Sequence, residues 1–326
     1  MTRETIHELM VKHVGPEKVP KKFKIHTDTS DFFRVEYNDV VLLGNTPFWI
    51  KRYEKEGRFG LDDEPKYWVR RAVHLPDGTP RILKLVFHEK FETTIGGTVI
   101  KCFRSPKKEA RILELVTNHQ NFMHGTWLPD EVGNNVRILE VINGSRYDEL
   151  IADKGADHHD YFHNFFSTVL KEYMELVLAI KFLHDHDEKH GDIRRDHIIR
   201  DRTNNINRWI DFDYNYMHGE SKFGFDLQGL GNILIFLTGH GDILVGDLHR
   251  QNRAIFDTLW GEDLNISYKN RVANLAKIFP YIPDSLNRIL LHFSQGARIF
   301  YDTTDQMLND LTAALDDLIQ LTGRQP

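Results

Sequence analysis

The segment from His190 to Asp213 constrains this chain more than any other, because it joins two acidic turns through a short apolar stretch. The first turn, His-Gly-Asp, is expected to leave the carboxylate of Asp192 exposed. Trp209 and Ile210 are typical of a short buried strand, and Asp211 follows at its end. Two carboxylates at the ends of adjacent short strands can serve different roles. One can accept a proton from an attacking hydroxyl, while the other holds a metal ion that bridges phosphates.

The size and composition of the chain describe an ordinary globular protein. Its 326 residues are enough for two lobes with sizeable cores, and 40% hydrophobic with 28% charged residues is a typical globular balance. A net charge of −6 gives no reason to expect nucleic acid or an anionic membrane as a partner. The single cysteine, Cys102, excludes an internal disulfide framework and suits a reducing cytoplasm.

Signals for export and membrane insertion are not apparent in the sequence. The opening residues, MTRETIHELM, contain no apolar core of the signal-peptide type. No run of apolar residues approaches the roughly 18 that a membrane span needs. We therefore expect a cytoplasmic protein without a membrane span.

The acidic segment resembles the catalytic loop and metal loop of protein kinases, whose signature is H-R-D-x-x-x-x-N followed by D-F-G. Residues 190–192 read His-Gly-Asp at the H-R-D positions, and residues 211–213 read Asp-Phe-Asp at the D-F-G positions. The resemblance implies that Asp192 is the catalytic base, which orients an acceptor hydroxyl toward the γ-phosphate of ATP. It also implies that Asp211 holds the metal ion that bridges the phosphates, with Mg²⁺ or Mn²⁺ as the cofactor.

Three further residues of the segment take their expected roles from the same resemblance. Arg194 matches a position where protein kinases carry a lysine that steadies the transferring phosphoryl group, and Asp213 can join the metal or cap the next turn. His197 stands where an asparagine normally binds magnesium, and a neutral imidazole is a softer ligand that suits manganese better. Four interpretations stay open for His197: a manganese-preferring site, a single metal held by Asp211, lost activity, or a structural histidine that orients Asp192.

A lysine inside an apolar strand supplies the next part of the resemblance. Lys84 lies within the apolar run 82–86, and burying an ammonium group without a partner is costly. In the family this lysine holds phosphate oxygens and pairs with a glutamate of the following helix. Residues 107–116, KKEARILELV, resemble that helix, so Glu109 is the expected partner and Glu114 the alternative. A lysine on the solvent face of an alternating strand is the competing interpretation.

Two glycines concern the phosphates of the nucleotide. Gly57 and Gly60 lie in the turn EGRFG, where kinases place a glycine-rich loop that covers the phosphates. The full G-x-G-x-x-G pattern is not present, so an ordinary turn is the alternative interpretation.

The resemblance extends to the segment that would hold adenine and ribose. Residues 136–155 resemble the strand, hinge and first helix that join the two kinase lobes. Leu139 would then stand behind the adenine ring, and backbone groups near Glu140 and Ile142 would read its edge. Asp148 would meet the ribose. Adenine requires one hydrogen-bond donor and one acceptor held in an apolar slot.

A second motif follows the acidic segment. Residues 225–242, FDLQGLGNILIFLTGHGD, resemble a kinase helix in which Asp226 and Gly231 occupy the Asp position and the first Gly position. In the family such an aspartate accepts backbone N–H groups of the catalytic loop. The interval from Asp211 to Asp226 is much shorter than the usual activation segment, and the sequence has no A-P-E motif. This disfavours a conventional peptide substrate but not a folded protein, a sugar or another small acceptor.

Hydrophobic periodicity predicts the other elements. Strands are expected at residues 32–37, 40–43, 48–53, 67–74 and 81–87, and helices at residues 2–14, 161–184, 248–260, 267–278, 285–295 and 304–321. Residues 286–315 resemble the closing helices of bacterial serine/threonine kinases, which favours a protein acceptor. The His-Gly-Asp turn and the acid at position 213 instead resemble small-molecule and sugar kinases.

These features together predict an α+β chain with a two-lobed protein-kinase-like fold. Residues 1–45 would be an extension packed on the N-lobe, residues 46–142 a β-rich N-lobe, and residues 143–326 a mainly helical C-lobe. The expected function is that of an ATP-dependent phosphotransferase, an atypical protein serine/threonine kinase with ATP and a protein or small hydroxylated acceptor as partners. The alternatives are a small-molecule or sugar kinase of the same fold, and a pseudokinase that binds nucleotide or another protein without turnover.

Overall fold

The computed structural model describes residues 1–58, 61–217 and 221–323 of a chain of the α+β class. The chain divides into two compact units. The first unit comprises Met1–Glu89, Arg104–His119 and Met123–Ile142, and the second comprises Lys90–Phe103, Gln120–Phe122 and Asn143–Pro326.

Most of the strands lie before residue 140, and most of the helices lie after it. The strands are β1 Ile25–His26, β2 Val40–Leu43, β3 Thr46–Arg58, β4 Leu61–His74, β5 Thr79–Lys84, β6 Lys90–Ile95, β7 Thr98–Arg104, β8 Gly125–Pro129, β9 Asn135–Leu139, β10 Gly144–Arg146, β11 Ile198–Asp201, β12 Ile206–Trp209 and β13 Tyr214–Met217. The helices are α1 Arg3–Val14, α2 Pro106–Leu115, α3 Tyr147–Ala152, α4 His158–Asn164, α5 Phe166–Asp185, α6 Gly224–Thr238, α7 Val245–Gln251, α8 Arg253–Phe256, α9 Asp284–Leu291 and α10 Thr304–Thr322.

The first unit is built on a seven-stranded sheet with the strand order β1-β2-β3-β4-β5-β9-β8. The β1–β2 pair is parallel, and the neighbours from β2 to β8 are antiparallel. Helix α2 packs against β9 and β8. Its first turn is capped by Ser105, whose hydroxyl accepts a hydrogen bond from the Lys108 N–H at 3.3 Å, and Pro106 occupies the first helical position.

Residues 1–45 contribute to the hydrophobic core on both faces of this sheet. Ile6 and Met10 of α1 belong to a buried cluster with Trp49. Val35 belongs to a second buried cluster, which contains Ile50. Because successive side chains of a strand point to opposite faces, Trp49 and Ile50 mark the two faces. The N-terminal segment is therefore part of the core of the first unit.

The second unit is organised around α5, which packs against α6 and α10. Its buried face includes Val169, Tyr173, Leu176, Ile180 and Leu183, with the spacing of an amphipathic helix. Strands β10, β11 and β12 form an antiparallel sheet beside it. Strands β13, β7 and β6 form another three-stranded sheet in that order. None of the helices in the described part of the chain combines the length and the apolarity that a bilayer crossing requires.

Two expectations about secondary structure were wrong because local side-chain hydrogen bonds override the hydrophobic pattern. The strand predicted at 32–37 is a 3₁₀ turn at Phe32–Arg34, where the Asp31 carboxylate accepts a hydrogen bond from the Phe33 N–H at 3.2 Å. Most of the helix predicted at 267–278 is irregular, with only a 3₁₀ turn at its end. There the Asn265 side chain accepts hydrogen bonds from two successive backbone N–H groups, which fixes a turn instead.

Two further predicted helices are each divided in two. The helix predicted at 161–184 is interrupted at Phe165, whose φ of −127° leaves the helical range between α4 and α5. The helix predicted at 248–260 is interrupted at Asn252, whose side chain caps α8 by accepting a hydrogen bond from the Ile255 N–H at 3.2 Å. The helix predicted at 304–321 is confirmed as α10.

Candidate active site

The first unit contains a buried charge cluster around Glu109. The Lys84 ammonium donates a hydrogen bond to Glu109 Oε1 at 3.0 Å, and the Arg137 guanidinium donates one from Nε to Oε2 at 2.8 Å. The side chains of Lys84 and Glu109 are 4% and 0% exposed. The predicted pairing of these two residues is confirmed, whereas the alternative partner, Glu114, accepts a hydrogen bond from the Trp127 indole.

Arg137 is a member of this cluster that the sequence reasoning missed. It pairs with Lys84 across the β5–β9 ladder, so both cations lie on the same face of the sheet. The signal was available, because Arg137 lies between the apolar residues Val136 and Ile138 and needs a partner for the same reason as Lys84. Two buried cations therefore share one buried carboxylate.

The predicted phosphate-covering turn at residues 56–60 lies partly outside the described residues. Gly57 is part of strand β3, and Gly60 falls in the gap between residues 58 and 61. Strands β3 and β4 continue on both sides of that gap and pair with each other from Phe48 to Arg58. The role of the two glycines stays a prediction.

At the predicted adenine segment, one backbone donor is already engaged within the sheet. Leu139 is buried at the end of β9, and the Glu140 N–H donates to the His124 carbonyl at 3.0 Å. The Glu140 carboxylate in turn accepts from the His124 N–H at 2.5 Å. The Glu140 N–H is therefore not available to a base edge, and the contacts predicted near Glu140 and Ile142, the last residue of the first unit, stay a prediction.

Asp148, predicted to contact ribose, lies in the first turn of α3, where two arginines surround it. Arg146 donates one hydrogen bond to each carboxylate oxygen, at 3.1 and 2.6 Å. Arg195 Nε lies 3.5 Å from the same carboxylate, which is 10% exposed. Both oxygens are thus engaged within the second unit, which disfavours the predicted contact with ribose.

The predicted catalytic turn in the second unit is fixed by Asp226. This carboxylate is fully buried and accepts hydrogen bonds from the His190 N–H at 2.7 Å and the Gly191 N–H at 2.9 Å. The predicted role of Asp226 is confirmed. Gly191 has a φ of +85°, a conformation that a residue with a Cβ rarely adopts. Glycine at this position therefore follows from the shape of the turn.

His197 connects the two carboxylates expected to act in the reaction. Its Nδ1 lies 2.9 Å from the Asp192 carbonyl oxygen, so Nδ1 carries a proton and donates it. The same nitrogen is 3.6 Å from Asp192 Oδ2, and Nε2 is 3.6 Å from Asp211 Oδ2. The imidazole is 4% exposed. His197 therefore holds the backbone at Asp192 and directs its second nitrogen toward Asp211.

The environment of Asp192 shifts the pKa of its carboxyl group upward. Burial raises the pKa of Asp192 above its ordinary value, and the nearby Asp211 and Asp213 raise it further, against the lowering effect of His197 and Arg194. A raised pKa strengthens a carboxylate as a proton acceptor.

Asp211 has an unusual backbone conformation, with a φ of +65°. Non-glycine residues rarely occupy this left-handed region, and those that do are concentrated at functional sites. The loop is tied to the catalytic segment by the Ile210 N–H, which donates to the His197 carbonyl at 3.0 Å. Asp213 follows as a buried residue directly before β13.

Arg194 forms an ion pair with Asp196 that uses both oxygens of the carboxylate. Although burial acts to raise it, the charges of His197 and Arg194 lower the pKa of Asp196 to about 2. Asp196 therefore stays ionised and holds the guanidinium close to the backbone of the loop. To contact a phosphoryl group, the Arg194 guanidinium would have to bind the phosphoryl oxygens in addition to Asp196 or in place of it.

The possible metal ligands near Asp211 suit an ion whose other ligands are phosphate oxygens. Within residues 1–58, 61–217 and 221–323, no three His, Cys, Asp or Glu side chains form a group able to hold a metal. Magnesium in nucleotide sites needs only one or two carboxylates, with phosphates and water as the other ligands. Two ligands at about 2.1 Å from one ion lie at most about 4.2 Å apart, and the 3.6 Å between Asp211 Oδ2 and His197 Nε2 satisfies that limit.

Comparison with known proteins does not assign this chain to a family: no protein-family model matches the sequence, and no curated protein shows significant similarity to it. The case for a function therefore rests on the side chains described above.

Proposed function

We propose that this protein transfers the γ-phosphoryl group of ATP to a hydroxyl group of an acceptor, on a two-lobed protein-kinase-like fold. The observation that carries the proposal is the arrangement of Asp192, His197 and Asp211, in which one buried imidazole faces both carboxylates. The turn that presents Asp192 is in addition held by the buried carboxylate of Asp226. Phosphoryl transfer to an alcohol requires a base and a metal ligand that are held at fixed positions relative to each other.

In the proposed reaction Asp192 positions the acceptor hydroxyl and receives its proton. The acceptor oxygen forms a bond to the γ-phosphorus, and the bond from that phosphorus to the β–γ bridging oxygen breaks with its electron pair going to ADP. When bound, Mg²⁺ or Mn²⁺ neutralises charge on the phosphates. Asp211 would hold that ion, with His197 Nε2 as a second ligand and Asp213 as a further candidate.

The Glu109 cluster supplies the cations for the triphosphate. Lys84 is the proposed phosphate ligand, because an ammonium group presents three donors and the hydrogen bond to Glu109 Oε1 fixes its position in the cluster. Arg137 balances the second oxygen of Glu109 and keeps the carboxylate oriented toward Lys84. Charge-assisted contacts of this type are among the stronger hydrogen bonds in proteins.

The acceptor is proposed to be a small hydroxylated molecule or a folded protein rather than an extended peptide, because the interval from Asp211 to Asp226 is too short for the usual peptide platform. A pseudokinase remains the competing function. It is favoured by the Arg194–Asp196 ion pair, which engages the arginine expected at the transferring group.

The test is transfer of label from γ-labelled ATP in the presence of Mg²⁺ or Mn²⁺, with the protein itself, generic proteins and hydroxylated metabolites as acceptors. Asp192→Asn and Asp211→Asn are expected to reduce transfer by at least 100-fold. Asp317→Asn, at an exposed position on α10, is the matched control and should transfer at the wild-type rate. Transfer that survives Asp192→Asn would refute the base assignment, and ATP binding without any transfer would favour the pseudokinase.

A further inference from the structure

Arg70 is a buried cation of the first unit that the proposed reaction does not use. It lies in strand β4 and is 0% exposed. One nitrogen of its guanidinium, Nη2, donates a hydrogen bond to the Phe32 carbonyl at 2.7 Å. The other two, Nε and Nη1, are buried and have no hydrogen-bond partner in the part of the chain that the structure describes. Burying a charged group with unused donors is costly, so these two nitrogens require an explanation.

The positive charge of Arg70 is not balanced by an acid. Burial lowers the pKa of Arg70 from 12.5 to about 10, so the guanidinium keeps its proton at neutral pH. Tyr53 and Tyr67 act on it electrostatically, and neither carries a carboxylate. The Tyr53 ring lies against the guanidinium, with 3.9 Å from Cζ to the ring centroid, but a cation–π contact leaves the N–H donors unused. Among the described residues, therefore, no carboxylate pairs with Arg70.

Trp68 adds a further buried donor on the same face of β4. Its indole Nε1 is also without a hydrogen-bond partner within residues 1–58, 61–217 and 221–323. Trp68 and Arg70 are two positions apart in the strand, so their side chains point to the same face of the sheet. The Phe32 ring meets the Trp68 ring edge-on at 6.4 Å between centroids, and the Phe32 carbonyl accepts from Arg70. Three buried nitrogens that need acceptors thus lie next to one residue.

This face of the sheet is opposite to the face that carries the Glu109 cluster. In the β4–β5 ladder, Arg70 is paired with Leu83, and Val69 is paired with Lys84. Residues paired across a ladder share a face, and successive residues of a strand alternate between faces. Arg70 and Lys84 therefore point to opposite sides of the sheet, and the donors of Arg70 are separate from the proposed phosphate ligand.

The segment that covers these donors is the 3₁₀ turn Phe32–Arg34, whose side chains are largely exposed. Phe33 is 63% exposed, and the Arg34 side chain is 80% exposed and pairs with Asp31 at the surface. Segments with few buried contacts open locally at a low free energy. The Phe32 carbonyl holds the guanidinium by one hydrogen bond, and a movement of the turn would let an anion take the place of that carbonyl.

We propose that Arg70 and Trp68 form a binding site, beneath the Phe32–Arg34 turn, for a small anion that carries a carboxylate or phosphate group. Arg70 supplies the charge, and both side chains supply N–H donors. Carboxylates and phosphates present several acceptor oxygens, which match a group of side chains that offers donors alone. The exposed rings of Phe33 and Tyr67, 5.3 Å apart between centroids, lie beside the site and offer apolar contact to the rest of the ligand. The site does not depend on the proposed reaction.

The test follows thermal unfolding of the full chain in sodium acetate or sodium phosphate, against sodium chloride at equal ionic strength. Every protein carries Lys84→Met, so that anions at the Glu109 cluster do not contribute. We expect at least one of the two anions, at about 20 mM, to raise the Tm by about 3 °C or more. Arg70→Met should lose this increase, and Trp68→Phe, which keeps the charge and removes one donor, should weaken anion binding several-fold. Arg52→Met, at an exposed arginine of β3, is the matched control and should respond as the parent does.

The two anions also distinguish the ligand classes. A response to phosphate alone would identify a phosphate-bearing ligand, and a response to acetate alone a carboxylate. Both anions stabilise proteins in general through exclusion from the surface, so an equal Tm increase in Arg70→Met and its parent would overturn the inference, as would no increase at all.

A second measurement covers the case in which Arg70→Met does not fold. The indole N–H signal of Trp68 in the NMR spectrum of the parent, assigned with the Trp68→Phe variant, should shift as the stabilising anion is added. A signal that stays in place would overturn the inference.

Discussion

The Nε2 atom of His197 lies 3.6 Å from Oδ2 of Asp211, while Nδ1 of the same ring donates to the Asp192 carbonyl. The sequence left open whether His197 orients the catalytic loop or binds the metal. The geometry is compatible with both roles, because each uses a different ring nitrogen. The orienting contact is a hydrogen bond within the described structure, and metal binding by Nε2 stays a proposal.

His197→Asn separates these two roles. An amide oxygen is a harder ligand than an imidazole nitrogen, so the ratio of activity with Mn²⁺ to activity with Mg²⁺ should fall several-fold. Loss of the Nδ1 hydrogen bond should reduce the free energy of unfolding by about 1 kcal/mol. Steady-state rates with each metal and urea denaturation measure the two effects. His186→Asn, at an exposed histidine, is the control. An unchanged metal ratio would show that Nε2 is not a ligand.

Charge balance in the Glu109 cluster leads to a second prediction. Glu109→Gln removes the carboxylate that the buried Lys84 and Arg137 cations share, and the free energy of unfolding should fall by about 3–5 kcal/mol. Lys84→Met leaves one cation paired with one carboxylate, so the loss should be smaller, about 1–2 kcal/mol, while the KM for ATP rises at least 10-fold. Chemical denaturation and ATP kinetics measure these effects. Equal destabilisation by the two variants would contradict the balance argument.

The parts of the site that could be predicted are those where an ionisable residue interrupts an apolar pattern and therefore needs a partner of opposite charge. Lys84 and Glu109 each interrupt an apolar pattern, so their pairing follows from the cost of burying one charge alone. Asp226 opens an apolar helix, and its contact with the catalytic turn followed from the motif. Arg137 obeys the same rule as Lys84, but the resemblance of its segment to the kinase strand and hinge predicted adenine contacts and gave this arginine no partner.

The remaining features depend on contacts between distant segments. The pairing of β7 with β13 joins residues far apart in the sequence, and neither strand carries a pattern that selects the other. The irregular path after Asn265 depends on hydrogen bonds from one side chain, which hydrophobic periodicity does not register. The burial of Asp148 between two arginines likewise required Arg195 to come close to it.

The clamp formed by Asp226 gives a third prediction. Asp226→Asn replaces one carboxylate oxygen with an amide donor, which would face a backbone N–H donor at His190 or Gly191. We expect the free energy of unfolding to fall by about 2–3 kcal/mol and phosphotransfer to be lost with it. Denaturation curves and label transfer measure the two changes. Asp317→Asn should alter stability by less than about 0.5 kcal/mol. Full activity in Asp226→Asn would show that the loop keeps its shape without the clamp.

A fourth prediction concerns acid stability and a histidine remote from the proposed chemistry. His158 stacks on the Phe279 ring at 3.4 Å between centroids, and its two nitrogens contact the Tyr281 hydroxyl at 2.7 Å and the Thr238 carbonyl at 2.9 Å. Burial lowers the pKa of His158 from 6.5 to about 4. The folded state therefore disfavours the protonated ring. The contribution of neutral His158 to stability is complete above pH 6.5 and is lost as the pH falls toward 4.

His158→Gln removes the titrating group but keeps a donor and an acceptor at the site. The variant should be less stable than the wild type at pH 7.5, and the difference should shrink as the pH is lowered through the interval from 6.5 to about 4. Urea denaturation at half-unit pH steps measures the difference, with His159→Gln at the exposed neighbouring position as the control. A difference that stays constant across this interval would mean that His158 titrates alike in the folded and unfolded chain. In that case, the contacts of His158 with Tyr281 and Thr238 would have to persist when both ring nitrogens carry a proton. The Thr238 carbonyl can accept a hydrogen bond from the protonated ring, and the Tyr281 hydroxyl would then also have to act as an acceptor.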